Sequence, residues 1–130
     1  MGFLKDLFKA DPEVDFQLAL REETFNRNLA KAAWLYSKAS DKNHPKAQYY
    51  LGHMYLFGRG VPQDTSKALQ LLYNSSSQGY HKADYLLSQM FLKGIGVNQD
   101  KDKGNHYLEL FKSKGYNESD FEFIINLQQA

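Results

Sequence analysis

Apolar residues recur every three or four positions along most of the chain, in stretches separated by polar or glycine-containing segments. This spacing predicts amphipathic helices that each bury one face. In one helix pair the predicted buried residues are Ala47, Leu51, Met54 and Tyr55, then Ala68, Leu71, Leu72 and Ser75. In the next pair they are Ala83, Leu87, Met90 and Phe91, then Gly104, Tyr107, Leu108 and Phe111. The chain is therefore predicted to be all-α.

The helical pattern repeats after 36 residues. When residues 46–80 are aligned with residues 82–116, 16 of the 35 positions are identical. A period in this range is typical of helix pairs that stack on one another rather than of one closed core. We therefore predict an α-α superhelix, or solenoid, of antiparallel helix pairs, with about two and a half to three repeats and capping helices at its ends.

A glycine-rich loop joins the two helices of each full repeat. It reads GRGVPQD at Gly58–Asp64 and GIGVNQD at Gly94–Asp100. The two glycines end the first helix and allow the positive backbone angles of a tight loop. The valine is expected to pack back onto the core, and the aspartate to cap the next helix by accepting backbone N–H bonds. Gly79 and Gly115 are expected to end the second helices.

A shortened repeat precedes the two full ones. Its second helix is expected to bury Ala32, Leu35, Tyr36 and Ala39, which lie 36 residues before their counterparts in the next pair. Asn43 replaces the glycine that ends this helix, and asparagine is the best substitute in a left-handed conformation. In its first helix, Val14, Phe16, Leu18 and Ala19 resemble Ala47, Tyr49, Leu51 and Gly52 at an offset of 33. The loop between Glu23 and Asn28 should therefore be about three residues shorter.

The whole chain, residues 1–130, is predicted to be a single domain. Its parts are an N-terminal capping segment (1–11), a shortened repeat (12–45), two full repeats (46–81 and 82–117) and a C-terminal capping helix (118–130) that Asn117 can cap. The N-terminal segment carries an apolar stripe of Phe3, Leu4, Leu7 and Phe8. This stripe indicates a cap that covers the first repeat and extends over Trp34. A membrane-surface helix and a partner-docking arm are the alternatives.

Composition argues against several classes of function. Sixteen Lys and Arg against fifteen Asp and Glu give a net charge of +1 without long runs of one sign, so neither nucleic-acid nor membrane binding is expected. The absence of cysteine excludes disulfides, thiol nucleophiles and thiolate zinc sites. The start of the chain lacks the apolar stretch of a signal peptide, and no stretch approaches the roughly 20 apolar residues of a membrane span. A cytoplasmic location is expected.

The residues that carry catalytic chemistry form no recognisable motif. The four histidines, His44, His53, His81 and His106, lack the spacing of a metal site on one helix. Asp64 and Asp100 lie one repeat apart and are better explained as helix caps than as an acid–base pair. The glycine-rich loops follow helices rather than strands and lack the Lys-Ser/Thr of a phosphate loop. We therefore expect no enzymatic activity, no metal and no cofactor.

The segment AQYYLGHMYLFGRGVPQDTSKA at Ala47–Ala68 resembles the Sel1-like repeat family, which is related to the tetratricopeptide repeats. The family pattern is roughly A-x-x-x-L-G-x-x-Y-x-x-G-x-G-V-x-x-D-x-x-K-A. The next copy, from Ala83, departs from it at Ser88, Phe91 and Gly104. The resemblance covers about residues 12–115 and implies a right-handed superhelix that acts as an adaptor, as in bacterial and eukaryotic members of the family.

In related arrays the first helix of each pair lines a concave groove, and the repeats of this chain differ on that face. The candidate partner-binding residues are Gln17, Leu20, Thr24, Tyr50, His53, Phe57, Leu86, Gln89 and Lys93. Aromatic and aliphatic groups beside a few polar ones are typical of a protein-binding surface. The alternative is that the large side chains among them simply pack against neighbouring helices.

The predicted function is that of an adaptor that binds a partner protein or peptide, such as a complex subunit or a cognate toxin, on the concave face. The resemblance also implies two narrower alternatives. One is an immunity protein that neutralises a secreted bacterial toxin. The other is a β-lactam-related hydrolase or ligand-binding repeat protein, although that subgroup is rich in cysteine and this chain has none. Self-association through the terminal helices is a further alternative, so the oligomeric state stays open.

Overall fold

The computed structural model describes residues 11–120 of the chain. Within this range lie six α-helices of 13 residues each: α1 (Pro12–Thr24), α2 (Leu29–Asp41), α3 (Pro45–Phe57), α4 (Thr65–Ser77), α5 (His81–Lys93) and α6 (Lys101–Ser113). A short 3-10 helix follows at Glu118–Asp120. The helices pack as antiparallel pairs, α1 with α2, α3 with α4 and α5 with α6. The prediction of an all-α stack of helix pairs is confirmed.

The core runs through the stack because the second helix of each pair also packs against the first helix of the next pair. One apolar cluster joins α1, α2 and α3 around Phe16, Tyr36 and Met54. Another joins α3 to α6 and includes Leu72, Leu87 and Phe111. Tyr50 and Tyr55 of α3 pack against both clusters, so α3 connects the two halves of the core.

The loop motif has a physical explanation at each identical position. Gly58 and Gly94 end α3 and α5 in the left-handed conformation, with φ angles of 66° and 70°. The glutamine of each loop returns to the helix that has just ended, and Gln63 Nε2 donates to the Leu56 carbonyl at 2.8 Å. Val61 packs on the core cluster of the first pair. The predicted aspartate caps are confirmed, since Asp64 Oδ1 accepts from the Lys67 amide at 3.0 Å.

The helix stops also follow the prediction. Gly79 and Gly115 adopt φ angles of 88° and 86° after α4 and α6, and Asn43 adopts 64° after α2. Asn43 therefore occupies the left-handed position that glycine occupies elsewhere. In the first pair, α1 and α3 begin 33 residues apart and only residues 25–28 separate α1 from α2.

Removing the Asp64 cap should lower stability. Replacing Asp64 by alanine removes the acceptor for one otherwise unpaired amide at the start of α4, which costs about 1 kcal/mol in typical helices. Denaturant unfolding followed by circular dichroism would measure the difference. The Asp64→Asn variant keeps an acceptor at the same place and should retain most of the stability. Equal losses in the two variants would contradict the capping role.

Each glycine-rich loop packs against the preceding repeat. A Cβ atom placed on Gly60 would lie 2.5 Å from the Leu29 carbonyl oxygen at the start of α2. A Cβ on Gly96 would lie 3.0 Å from Leu56 Cδ1 and 3.2 Å from Thr65 Cγ2, which belong to the α3–α4 pair. The loops therefore add contacts between repeats, beyond turning one helix back on the next.

The predicted counterparts of buried residues in α1 need a correction. Val14 and Leu18 are 54% and 44% exposed, whereas Ala47 and Leu51 at the same positions of α3 are 0% and 4% exposed. The reason is that α3 packs against α2 of the preceding pair, and among residues 11–120 no helix precedes α1. Phe16 and Ala19 are buried as expected. Tyr55, Leu71 and Tyr107 are only partly buried.

Some predictions concern residues outside the described range. The apolar stripe of Phe3, Leu4, Leu7 and Phe8, and the proposed C-terminal capping helix beyond Asp120, both lie there. Trp34, which is within the range, is 58% exposed on α2, with the Lys38 ammonium 4.7 Å from its ring centroid. Among the helices that the structure describes, none is long and apolar enough to cross a bilayer.

Candidate partner-binding site

The nine candidate residues lie on the three first helices, as their spacing predicted, but they are not equally accessible. His53, Leu86 and Gln89 are only 6%, 1% and 6% exposed. The expectation of one continuous accessible stripe is therefore corrected at these three positions. Leu86 is buried in the apolar cluster against which the rings of Tyr50 and Phe57 pack. The His53 ring lies near the rings of Tyr49 and Phe57, with centroid distances of 6.3 Å and 4.8 Å.

The remaining candidates keep surface that a partner could contact. Gln17, Thr24 and Lys93 are exposed, and Leu20, Tyr50 and Phe57 are partly buried. In α1 the polar groups bond to their own helix, since Gln17 Nε2 donates to Glu13 Oε1 at 2.7 Å and Thr24 Oγ1 donates to the Leu20 carbonyl at 2.7 Å. The candidate residues whose side chains do not form such bonds within their own helix therefore lie on α3 and α5.

Tyr50 lies at the centre of an aromatic cluster between the first two repeats. Its ring stacks on Tyr36 with the centroids 5.5 Å apart and the planes 11° from parallel. It also contacts Tyr49 edge-on at 5.1 Å and Phe16 at 5.6 Å. The Lys82 ammonium of α5 lies 5.7 Å from the Tyr50 ring centroid and 3.4 Å from its hydroxyl oxygen. The Tyr50 ring is thus partly exposed, fixed in position by the neighbouring rings, and adjacent to the Lys82 ammonium.

A polar network continues from this cluster to the glycine-rich loop. The Tyr36 hydroxyl donates to Glu23 Oε2 at 2.5 Å, and Arg59 Nη1 donates to Glu23 Oε1 at 3.1 Å. The same Arg59 nitrogen lies 3.5 Å from His53 Nδ1. The His53 ring in turn contacts the Phe57 ring, with centroids 4.8 Å apart. Arg59 is therefore held between the first repeat and the His53–Phe57 pair.

Burial determines the charge states within this network. The pKa of His53 is lowered to about 4, chiefly because burial disfavours the imidazolium and further because the Arg59 guanidinium is close. The pKa of Tyr36 is raised, first by burial and then by its hydrogen bond to Glu23. At neutral pH both rings are uncharged, and the neutral imidazole can accept a hydrogen bond from Arg59. The network is suited to holding Arg59 in place.

The sequence interpretation missed four of these residues: Glu23, Tyr36, Arg59 and Lys82. A signal for Arg59 was present, because the middle position of an otherwise matching loop is arginine in GRGV and isoleucine in GIGV. Tyr36 was recognised only as a core position. The partnership of Glu23 with Arg59 joins residues 36 positions apart and has no sequence signature.

The histidines that were considered as metal ligands or catalytic groups contact other side chains of the fold. His44 Nε2 lies 2.7 Å from Glu13 Oε2 and its ring stacks on Phe16, while His81 stacks on Tyr116 at 3.7 Å. Within the described residues, no group of three or more His, Cys, Asp or Glu could hold a metal ion. A polar groove of about 320 Å³ lies between α2, α3 and α4, where Ser37, Ser40 and Asp41 face Lys67 and Gln70.

Comparison with known proteins agrees with this architecture. The Sel1 repeat matches the chain three times, at residues 25–44, 45–80 and 81–116. The chain belongs to the Sel1 repeat family. The three Sel1 repeats correspond to the three helix pairs, although the first match begins after α1. Sel1 repeats typically mediate protein interactions and are generally non-catalytic scaffolds.

Two solved structures show the same fold. A Sel1 repeat protein from Oxalobacter formigenes superposes with a TM-score of 0.74 at 24% identity, over 85% of this chain and 87% of that protein. The second is c5321, a protective antigen of uropathogenic Escherichia coli strains with an SLR fold. It superposes with a TM-score of 0.75 at 24% identity, over 82% of this chain but only 24% of that protein. No curated protein sequence gives a significant match. At this level of identity the two structures support the fold alone.

Proposed function

We propose that this Sel1 repeat protein is a non-enzymatic adaptor that holds a partner protein on the face formed by its first helices. The contact surface would be a patch of Tyr50, Phe57, Arg59, Lys82 and Lys93, which we call the α3–α5 patch. It differs from the predicted stripe because His53, Leu86 and Gln89 are buried and would not contact the partner directly. The first-repeat candidates Gln17, Leu20 and Thr24 would lie at its edge.

The observation that carries this proposal is the arrangement around Tyr50 and Phe57. Both rings are partly exposed and held by packing, so binding would require little loss of side-chain freedom. Aromatic and arginine side chains are also the ones that contribute most at protein interfaces. The Lys82 ammonium adjoins Tyr50, and Arg59 adjoins the His53–Phe57 pair.

The charges on this patch indicate the chemistry of the partner. Arg59 is paired with Glu23, whereas Lys93 is exposed at the end of α5 and Lys82 lies beside the hydroxyl group of Tyr50. The patch thus combines apolar rings with an excess of positive charge. A partner segment with one aromatic or aliphatic anchor and neighbouring carboxylates would complement it.

Peptide selection on the full-length protein would test this proposal. A random peptide library displayed on phage should yield peptides with acidic residues beside an aromatic or aliphatic one. The affinity of a selected, fluorescently labelled peptide would then be measured by anisotropy. Lys82→Glu and Lys93→Glu should each weaken binding about tenfold, which corresponds to about 1.4 kcal/mol.

The control is Lys112→Glu, an equal charge change at an exposed position of α6 outside the patch. It should leave the affinity within about twofold of that of the unmodified protein, because well-separated exposed charges are largely screened at physiological salt. Equal losses in all three variants, or selection of peptides without acidic residues, would contradict the assigned patch.

A further inference from the structure

The polar groove between the first and second helix pairs is separate from the α3–α5 patch, since the two share no residue. Its volume of about 320 Å³ is within the range of small-molecule pockets, about 300–1,000 Å³. Its two walls carry polar side chains: Ser37, Ser40 and Asp41 on α2, and Lys67, Gln70 and Asn74 on α4. Helix α3 contributes the base of the groove, with Gln48, Leu51 and Tyr55.

The groove is open because the repeats differ at two of its positions. In the next junction, between α4 and α6, the residues that correspond to Ser37 and Leu71 are Tyr73 and Tyr107. The rings of Tyr73 and Tyr107 lie with their centroids 6.1 Å apart and pack against the apolar core. A serine and a leucine leave open the space that two rings occupy there. The groove is therefore specific to the first junction.

The polar side chains of the walls are available to a ligand. Within the described part of the chain, one set of them forms no side-chain hydrogen bond or ion pair: Ser37, Ser40, Asp41, Gln70 and Asn74. Hydroxyl and carboxamide groups can each donate and accept hydrogen bonds. The walls thus offer both kinds of partner to a polar molecule.

The groove carries one charge of each sign, on opposite walls. Among the described residues, Asp41 has no paired cation and Lys67 has no paired carboxylate. The Lys67 ammonium lies 4.9 Å from the Tyr55 ring centroid. At the next junction Lys103 lies over an aromatic ring in the same way, but Ser77 occupies the position of Asp41. The lysine is common to both junctions, whereas the facing carboxylate is specific to the groove.

The base of the groove is already ordered. Gln48 is 3% exposed, and its Nε2 donates to Asn43 Oδ1 at 3.0 Å. Its Oε1 accepts from Gln78 Nε2 at 2.7 Å. Leu51 beside it is 4% exposed. Because these side chains are fixed, a ligand would not have to order them on binding.

The facing charges indicate the chemistry of the ligand. Asp41 would repel a phosphate or another anion, and a neutral sugar would leave both charges without a partner. A zwitterion would pair with both. A single amino acid carries its two charges on one carbon, whereas an extended peptide separates them by about 3.3–3.6 Å per residue. Its amide groups also donate and accept hydrogen bonds, as the walls of the groove do.

We propose that this groove binds short free peptides of two or three residues. The peptide ammonium would pair with Asp41 on α2 and the peptide carboxylate with Lys67 on α4. The amide groups between them would bond to the hydroxyl and carboxamide groups of the walls. Small apolar side chains would contact Leu51 and Leu71.

A titration of the full-length protein with dialanine and trialanine would test this assignment. In proton–nitrogen correlation NMR spectra, the backbone amides of residues 37–41 and 70–74 should shift. The dissociation constant should lie between about 10 µM and 1 mM, as expected for ligands of this size. Acetylation of the peptide ammonium or amidation of its carboxylate should each weaken binding about tenfold, because each removes a charge-assisted hydrogen bond.

Variants would assign the two charges. Asp41→Asn should weaken the binding of free trialanine about tenfold but barely change that of acetylated trialanine, which has no ammonium to lose. Lys67→Gln should act in the same way on the amidated peptide. The matched control is Lys103→Gln, which removes the corresponding lysine of the next junction and should leave the affinity within about twofold.

Filling the groove provides an independent measurement. The double variant Ser37→Tyr, Leu71→Tyr reproduces the pair of rings at the next junction, so it should lose peptide binding and keep its helical circular dichroism. The absence of shifts in residues 37–41 and 70–74 up to about 10 mM of either peptide would overturn the proposal. So would equal losses of affinity in Lys67→Gln and Lys103→Gln. Tighter binding of a doubly capped peptide than of the free one would instead assign the groove to an internal segment of a partner protein.

Discussion

Replacing Gly60 by alanine should destabilise the fold by about 3 kcal/mol or more, the sum of a strained backbone and a steric clash. Gly60 has a φ angle of 73°, which costs a residue with a Cβ about 1–2 kcal/mol. The added methyl would also lie 2.5 Å from the Leu29 oxygen and 2.6 Å from the Leu29 carbonyl carbon. These are backbone atoms, so a side-chain rotation cannot relieve the contact. The loop or the start of α2 would have to move.

Gly79→Ala is the matched control for this substitution. Gly79 has a similar φ angle of 88°, but a Cβ there would meet nothing within 4 Å. The variant should therefore lose only the backbone term of about 1–2 kcal/mol. Urea unfolding followed by circular dichroism would measure both free energies. If the two variants lost the same stability, the contact between the Gly58–Asp64 loop and α2 would not contribute to the fold.

Acidification should remove about 3 kcal/mol from the free energy of unfolding through His53 alone. The native state lowers the His53 pKa to about 4, whereas an unfolded histidine has a pKa near 6.5. Between these values the unfolded chain binds a proton that the native protein does not, so lowering the pH favours unfolding. The contribution is fully present above pH 6.5, decreases as the pH falls, and is lost near pH 4.

Comparison with two glutamine variants would isolate this effect from the titration of carboxylates. His53→Gln should show a shallower dependence of the free energy of unfolding on pH between 6.5 and 4. His106→Gln replaces an exposed histidine of α6 and should keep the dependence of the unmodified protein. Denaturant unfolding at several pH values would give all three curves. Parallel curves for the His53→Gln variant and the unmodified protein would mean that native His53 is not held neutral.

The sequence predicted most of the fold because the relevant signals are local. The 3.6-residue apolar period marks the helices, and the loop motif marks where they end. Asn43 is an instructive case. Its left-handed conformation followed from its place in the repeat and from the tolerance of asparagine for positive φ angles, and the structure confirms it. The helix caps at Asp64 and Asp100 are local in the same sense.

The candidate site was harder to predict because accessibility depends on neighbours distant in sequence. The helical face of Tyr50, His53 and Phe57 follows from spacing, but the burial of His53 depends on the surrounding rings and loop. The terminal position of α1 is another case. Val14 occupies a core position by repeat symmetry and is exposed because α1 has no preceding helix within the described range. Sequence symmetry treats all repeats alike, whereas the ends of a stack differ from its middle.

The contact of each glycine-rich loop with the preceding repeat gives the stack a direction. The Gly60 loop rests on the start of α2, and the Gly96 loop rests on Leu56 and Thr65 of the α3–α4 pair. During synthesis from the N-terminus, each loop would emerge when the surface that receives it has already been made. Assembly in the opposite order would leave each loop without its support until the preceding repeat had been made. The fold is thus suited to growing one repeat at a time as the ribosome delivers it.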